Sequence, residues 1–274
     1  MLAIASAIAV AALAPVSVSA SAGPVTATMT AIGAASDTII TGATGMRISV
    51  VRDGGVAFNG GLRPCRFGCE LNDPTGARFS ELSLADLDGD GEAEVLVDRS
   101  DGFTPCCTLE TAILRRDPAT GAYGEIDRHW GESYRVADLD GYHHAELVSG
   151  DLRFYQRFAP RVAGFQLPVK ILQLRGPRLV DVTTAHRSLI RRDARSLSRL
   201  IRSTDAIADG RRRGSRTLAR AGLMPQLAAY SAEERTLGRG TVGDRRVSAE
   251  VARGHVSPGF RRELLRFLVR TGYR

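Results

Sequence analysis

The chain has 274 residues, 43% hydrophobic and 24% charged, with 37 basic against 30 acidic side chains and a net charge of +7. That apolar fraction excludes an intrinsically disordered chain, and the length is sufficient for more than one hydrophobic core. Charge is uneven: residues 1–174 carry 14 basic and 21 acidic side chains, whereas 175–274 carry 23 basic and 9 acidic. An acidic first part followed by a basic second part implies two segments with different surfaces. Lys170 is the only lysine, so the basic surface is almost entirely arginine.

Residues 1–22 are small and apolar and end in Ala20-Ser21-Ala22 before Gly23-Pro24, which reads as a secretory signal peptide with an A-x-A cleavage site. The run is too short and alanine-rich for a membrane span, so the mature chain is expected to carry none. It lacks a Lys or Arg ahead of the apolar core, and an uncleaved anchor is the alternative. The expected location is secreted or at the cell envelope.

Strand patterns follow. Met46 to Val51 alternates, Asp53-Gly54-Gly55 turns, and Val56-Ala57-Phe58 can return as a hairpin partner. Cys65 and Cys69 stand four apart, and Cys106 and Cys107 are adjacent. An even number of cysteines in an exported chain predicts two disulfides, either closed within each pair or crossed between the pairs. Zinc ligation by these four is a weaker reading, because adjacent cysteines are poor tetrahedral partners.

The densest chemistry lies in Asp86-Leu87-Asp88-Gly89-Asp90-Gly91-Glu92-Ala93-Glu94. Alternating aspartates with two glycines let several carboxylates converge on one tight turn, and Ca²⁺ takes roughly six to eight oxygens in a flexible shell. The expected ligands are the side chains of Asp86, Asp88, Asp90 and Glu94, with the Glu92 carbonyl as a backbone ligand. An EF-hand is excluded, because Val97 stands where its bidentate glutamate belongs and the flanks alternate like strands rather than helices. An acidic solvated turn is the plainer alternative.

A second copy, Asp138-Leu139-Asp140-Gly141-Tyr142-His143-His144-Ala145-Glu146, aligns without a gap at an offset of 52 residues. Asp138, Asp140 and Glu146 are retained, whereas Tyr142 replaces the third aspartate and His143 the second glycine. This copy is expected to bind calcium weakly while keeping the apolar frame.

On these two stretches, Ala85 to Val95 and Ala137 to Gly141, the chain resembles the FG-GAP/VCBS repeat family, the calcium-loop β-repeats of integrin-α-like proteins. It is also similar to actinobacterial secreted proteins in which a G-x-x-x-C-C element, here Gly102 to Cys107, follows the first loop. The resemblance spans roughly residues 45–182 and implies a calcium-stabilised extracellular β domain without specifying a ligand.

Beyond the first loop, Thr108 to Arg115 and Tyr123 to Arg128 flank the turn Asp117-Pro118-Ala119-Thr120-Gly121. Arg153 to Tyr155 and Val169 to Leu174 continue the strand pattern up to Gly176-Pro177. Two loop-bearing units fall short of a closed propeller, which needs about four blades, so a propeller-like or open antiparallel β-repeat domain is expected over 23–182. From about Thr183 the spacing turns helical, with Leu189, Ile190, Ala194, Leu197, Leu200 and Ile201 on one face. A helix from Ala219 to Leu237 contains Pro225, Asp244 is placed to cap another, and the last starts at Ser257 with Pro258 and ends at Gly272. The fold class is therefore β + α: the β-repeat domain, then a smaller all-α domain over 183–274.

Other motifs carry little. His143, His144 and Glu146 suit a transition metal, but adjacent residues on a strand point apart and no further ligand is identifiable, so a drifted turn is preferred. His129-Trp130 reads as packing rather than a sugar platform. No nucleophile elbow, metalloprotease helix or phosphate-binding glycine loop occurs, and nothing argues for catalysis. The expected function is a non-enzymatic calcium-binding or adhesion module at the envelope. One alternative is contact with an envelope polysaccharide or other polyanion through the arginines, of which Arg211-Arg212-Arg213 is the densest run; specific nucleic-acid reading is not expected. The other is an exported hydrolase whose site the sequence does not connect.

Overall fold

The computed structural model describes residues 15–63, 79–100, 109–131, 133–142, 144–159 and 164–274. The chain divides into two compact units, residues 1–132 and 133–274.

The first unit is one antiparallel sheet of eight strands: β1 (Pro15–Ala22), β2 (Val25–Ser36), β3 (Ile39–Arg52), β4 (Gly55–Gly60), β5 (Phe79–Ala85), β6 (Glu94–Ser100), β7 (Leu109–Arg116) and β8 (Tyr123–Gly131). Their order is β1-β2-β3-β5-β6-β7-β8, with β4 also paired to β3. The sheet curls, so that β1 reaches β5 as well as its neighbour β2. It is an open antiparallel sheet, as the short count of loop-bearing units requires.

Residues 15–22, expected as the end of a leader, form the edge strand β1 in register with β2 from Pro15↔Ile32 to Ala22↔Val25. The reason is a period-two pattern running through both segments. Val18, Val25, Ala27 and Met29 turn inward and are buried, while serines and threonines alternate outward. The outward hydroxyls pair across the strands, Ser17 with Thr30 at 2.8 Å, Ser19 with Thr28 at 2.8 Å and Ser21 with Thr26 at 2.9 Å.

The middle of the sheet holds a buried charge group. Arg99 on β6, 4% exposed, sends Nη2 to Glu110 and to Asp127, both at 3.2 Å, and Nη1 to the Arg63 carbonyl at 2.7 Å. Trp130 is buried and donates its indole N–H to Thr111 Oγ1 at 2.8 Å, so it packs the sheet and is no sugar platform.

The second unit begins with a four-stranded antiparallel sheet of β9 (Tyr134–Ala137), β10 (Glu146–Gly150), β11 (Val169–Arg175) and β12 (Arg178–Asp181), in the order β12-β11-β10-β9. Four helices follow: α1 (Arg187–Ala208), α2 (Arg216–Thr236), α3 (Gly240–Ala252) and α4 (Pro258–Arg270). The switch from strand to helix near Thr183 lies inside this unit, well after the division at 132/133. Two packing facts explain why the small sheet stays with the helices. Phe154 and Phe158 belong to the same core as Ile190, Leu197, Leu223 and Phe267. The Val169 N–H on β11 also donates to Glu233 of α2 at 3.2 Å.

Several sequence expectations change here. Arg153 to Tyr155, expected as strand, lies in and beside a 3₁₀ turn over Leu152–Phe154 capped by Asp151, whose carboxylate accepts the Arg153 N–H at 3.1 Å. Asp244 lies inside α3 rather than capping it and pairs instead with Arg235 at 2.7 Å. Pro225 sits within α2 without ending it, because the buried face of that helix outweighs one lost hydrogen bond. The last helix has the expected ends: Ser257 accepts the Phe260 N–H at 3.1 Å, Pro258 opens the helix, and Gly272 follows with φ 88°.

Glu233 is almost fully buried, and burial together with the facing Asp193 carboxyl pushes its pKa up to about 10. It is therefore protonated in the folded chain at neutral pH, while in the unfolded chain it ionises near 4.5. Above that pH the unfolded state binds fewer protons, so stability declines as pH rises, by up to about 1.4 kcal/mol per pH unit. Glu233→Gln keeps the acceptor for Val169 and a donor toward Asp193 without the proton. Its unfolding midpoint should match wild type near pH 4.5 and exceed it increasingly toward pH 8. A gap that does not grow with pH would refute the assignment.

Candidate metal centre

Loop 86–93 bridges β5 and β6, whose last paired residues are Ala85 and Glu94. Leu87 is fully buried, while the aspartates around it fold the backbone onto themselves. Asp86 accepts the Gly89 N–H at 2.7 Å through Oδ1 and the Gly91 N–H at 3.0 Å through Oδ2. Asp90 accepts the Glu92 N–H at 2.8 Å. Gly89 and Gly91 take φ 78° and 85°, a left-handed conformation that a side chain would strain.

The result brings Asp86, Asp88 and Asp90 together, with one carboxylate oxygen from each lying within 4.8 Å of the others. Glu94 does not join that trio. Its carboxyl is buried and accepts the Leu87 N–H at 2.8 Å, and burial, reinforced by the three aspartates, pushes its pKa up to about 8. The Glu92 side chain turns away to Arg52 at 2.9 Å and Arg116 at 3.9 Å, and Arg115 holds Asp88 Oδ2 at 2.7 Å. These three arginines, which sequence reading did not connect to the loop, offset part of its charge. An all-oxygen set with free lone pairs fits a hard cation, since a carboxylate oxygen bonded to one N–H can still coordinate.

The second loop, between β9 and β10, repeats the same hydrogen-bond frame. Leu139 N–H donates to Glu146 Oε2 at 2.9 Å, Gly141 N–H to Asp138 Oδ1 at 2.6 Å and Tyr142 N–H to Asp140 Oδ1 at 3.2 Å. Tyr142, in the third aspartate's place, is 74% exposed and adds no ligand. Asp138 does not converge with the others. Asp140 and Glu146 converge instead with His186, from the turn before α1.

A third cluster, Asp205, Glu250 and His255, is buried at the end of α1 and α3. Burial and the facing Glu250 push Asp205 up to about 6. Arg246 lies 2.5 Å from Asp205 and 3.2 Å from Glu250, Arg253 reaches both at 3.3 and 3.4 Å, and His255 bonds Glu250 at 2.8 Å and Asp209 at 2.7 Å. Guanidinium groups already occupy both carboxylates, so this is a charge clamp between helices. Its local sequence trace is the helical spacing of Arg246, Glu250 and Arg253, whereas the meeting with Asp205 is long-range.

The disulfide expectation for Cys65, Cys69, Cys106 and Cys107 falls outside the described residues, as does His143. Among the described residues no helix is long and apolar enough to cross a membrane. No family model, curated protein or solved structure matches the chain.

Proposed function

We propose that this protein is a calcium-stabilised, non-enzymatic β protein of FG-GAP/VCBS character that acts as a binding or adhesion module outside the cytoplasm. The supporting observation is the convergence of Asp86, Asp88 and Asp90 on a loop whose glycines and Asx turns hold the carboxylates facing one another. Calcium there would screen their mutual repulsion and tie the β5–β6 connection to the sheet.

The test is calcium-dependent unfolding. A ligand that binds only the folded state stabilises by about 2.7 kcal/mol at a hundredfold excess over its dissociation constant. Calcium should therefore raise the wild-type midpoint progressively. Asp90→Asn keeps the bond to the Glu92 N–H and removes one charge, so it should blunt most of that rise; Asp140→Asn should not. A midpoint unaltered by chelator would sink the calcium reading.

A second reading rests on α4. Arg262, Arg266 and Arg270 recur on successive turns beside a groove of about 390 Å³, with Phe267 in its wall. Among the described residues no acidic partner engages Arg262 or Arg266. Such a stripe suits an anionic envelope polymer, and its hold would weaken as salt screens the contact.

A further inference from the structure

The second loop has drifted from an all-oxygen set, and the drift leads somewhere specific. At the position aligned with Glu92 stands His144, whose ring stacks on Tyr142 with an interplanar angle of 8°. Its Nε2 is buried and makes no hydrogen bond, yet lies 3.3 Å from Glu146 Oε1 and 4.0 Å from Asp140 Oδ2. A buried imidazole nitrogen facing two carboxylates in this way lacks either a proton bond or a cation.

A further imidazole near the two carboxylates comes from His186, well downstream. His186 sits at the start of α1 with its backbone N–H on Thr183 O at 3.2 Å, and its side chain makes no capping bond. Thr183 is itself anchored, accepting the Ile171 N–H at 3.0 Å. The His186 ring is thus carried on a fixed turn but left uncommitted, and one of its nitrogens lies within 4.8 Å of ligand atoms from both Asp140 and Glu146.

Each carboxylate has one oxygen free of a backbone bond and near His144. Leu139 N–H holds Glu146 Oε2 and Tyr142 N–H holds Asp140 Oδ1, leaving Glu146 Oε1 and Asp140 Oδ2 toward His144. Among the described residues no arginine or lysine pairs with either carboxylate, in contrast to the Asp205 cluster and to Asp88. Two imidazoles with two carboxylates balance a divalent charge and match the ligand types of tetrahedral Zn²⁺, whereas nitrogen donors are poor partners for Ca²⁺.

We propose that Asp140, His144, Glu146 and His186 form a binding site for a divalent transition-metal ion of the Zn²⁺ class. The site is independent of the calcium reading of loop 86–94, since the two share no ligand and select by different donor atoms. It turns the second loop from a weakened copy of the first into a site of different specificity. It also clips the β9–β10 loop to the start of α1.

The full chain, stripped with chelator and returned to metal-free buffer, should bind one equivalent of Zn²⁺ by titration calorimetry. Co²⁺ in its place should give the intense visible bands of a tetrahedral ion. His186→Ala and His144→Ala should each weaken Zn²⁺ binding by at least about tenfold. Asp90→Asn and His255→Ala should leave it unchanged, and millimolar Ca²⁺ should not displace Zn²⁺. His186→Gln, which nearly preserves side-chain volume, guards against a folding defect, and far-UV circular dichroism checks each variant. Absence of stoichiometric Zn²⁺ binding overturns the proposal, as does binding that persists in the His144→Ala/His186→Ala double variant. Loss of calcium stabilisation with Zn²⁺ binding intact would reject the calcium reading alone.

Discussion

Phe154→Ala is expected to destabilise the 133–274 unit by about 3–5 kcal/mol, the usual cost of removing a fully buried phenyl ring. Phe154 is 1% exposed and meets Phe267 edge-on at 4.9 Å and Tyr273 at 5.5 Å, with Phe158 close by. It stands in a short turn between strands yet fills the core of the helices, so its loss falls on α4 and the C-terminal Tyr273 together. The measurement is denaturant unfolding followed by helical circular dichroism. Trp130, the single tryptophan, lies in the first unit and supplies an internal reference by fluorescence. A helical transition shifted by less than about 1 kcal/mol would mean that the helices do not depend on this ring.

Arg99→Met should act comparably on the sheet, costing about 3–5 kcal/mol, because it removes from a buried ion group the guanidinium that two carboxylates and a carbonyl share. Methionine replaces the aliphatic reach of arginine but deprives Glu110, 2% exposed, of the guanidinium 3.2 Å away. Asp127 and the Arg63 carbonyl lose the same partner. Adding Glu110→Gln to Arg99→Met should recover part of the loss, since a neutral amide costs less to bury than a carboxylate. Trp130 fluorescence reads this transition directly. A single substitution that costs under about 1 kcal/mol, or a double variant worse than the sum of its parts, would show that the charges contribute little.

Much of the architecture was legible because period and turn chemistry are local. The loops between β5 and β6 and between β9 and β10, the β7–β8 hairpin around Pro118 and the caps of α4 all follow from residues within a few positions of one another. The alternation of Val16 to Ala31 was equally visible, but small apolar residues closing in A-x-A satisfy a leader and a strand alike. What stayed hidden depends on long-range closure. His186 completes a metal constellation only because β11, β12 and one short turn carry it back to loop 138–146. Arg115 and Arg52 reach the first loop through pairings across the sheet, and Phe154 finds Phe267 only after four helices have packed. Spacing along the chain carries no trace of such meetings.

β1 is the outer strand of its sheet and pairs with β2. Ala20, Ser21 and Ala22 face Ala27, Thr26 and Val25 in the ladder, and the chain turns at Gly23-Pro24. Without β1 the sheet would present β2, with its row of threonines, as a bare edge open to strand addition.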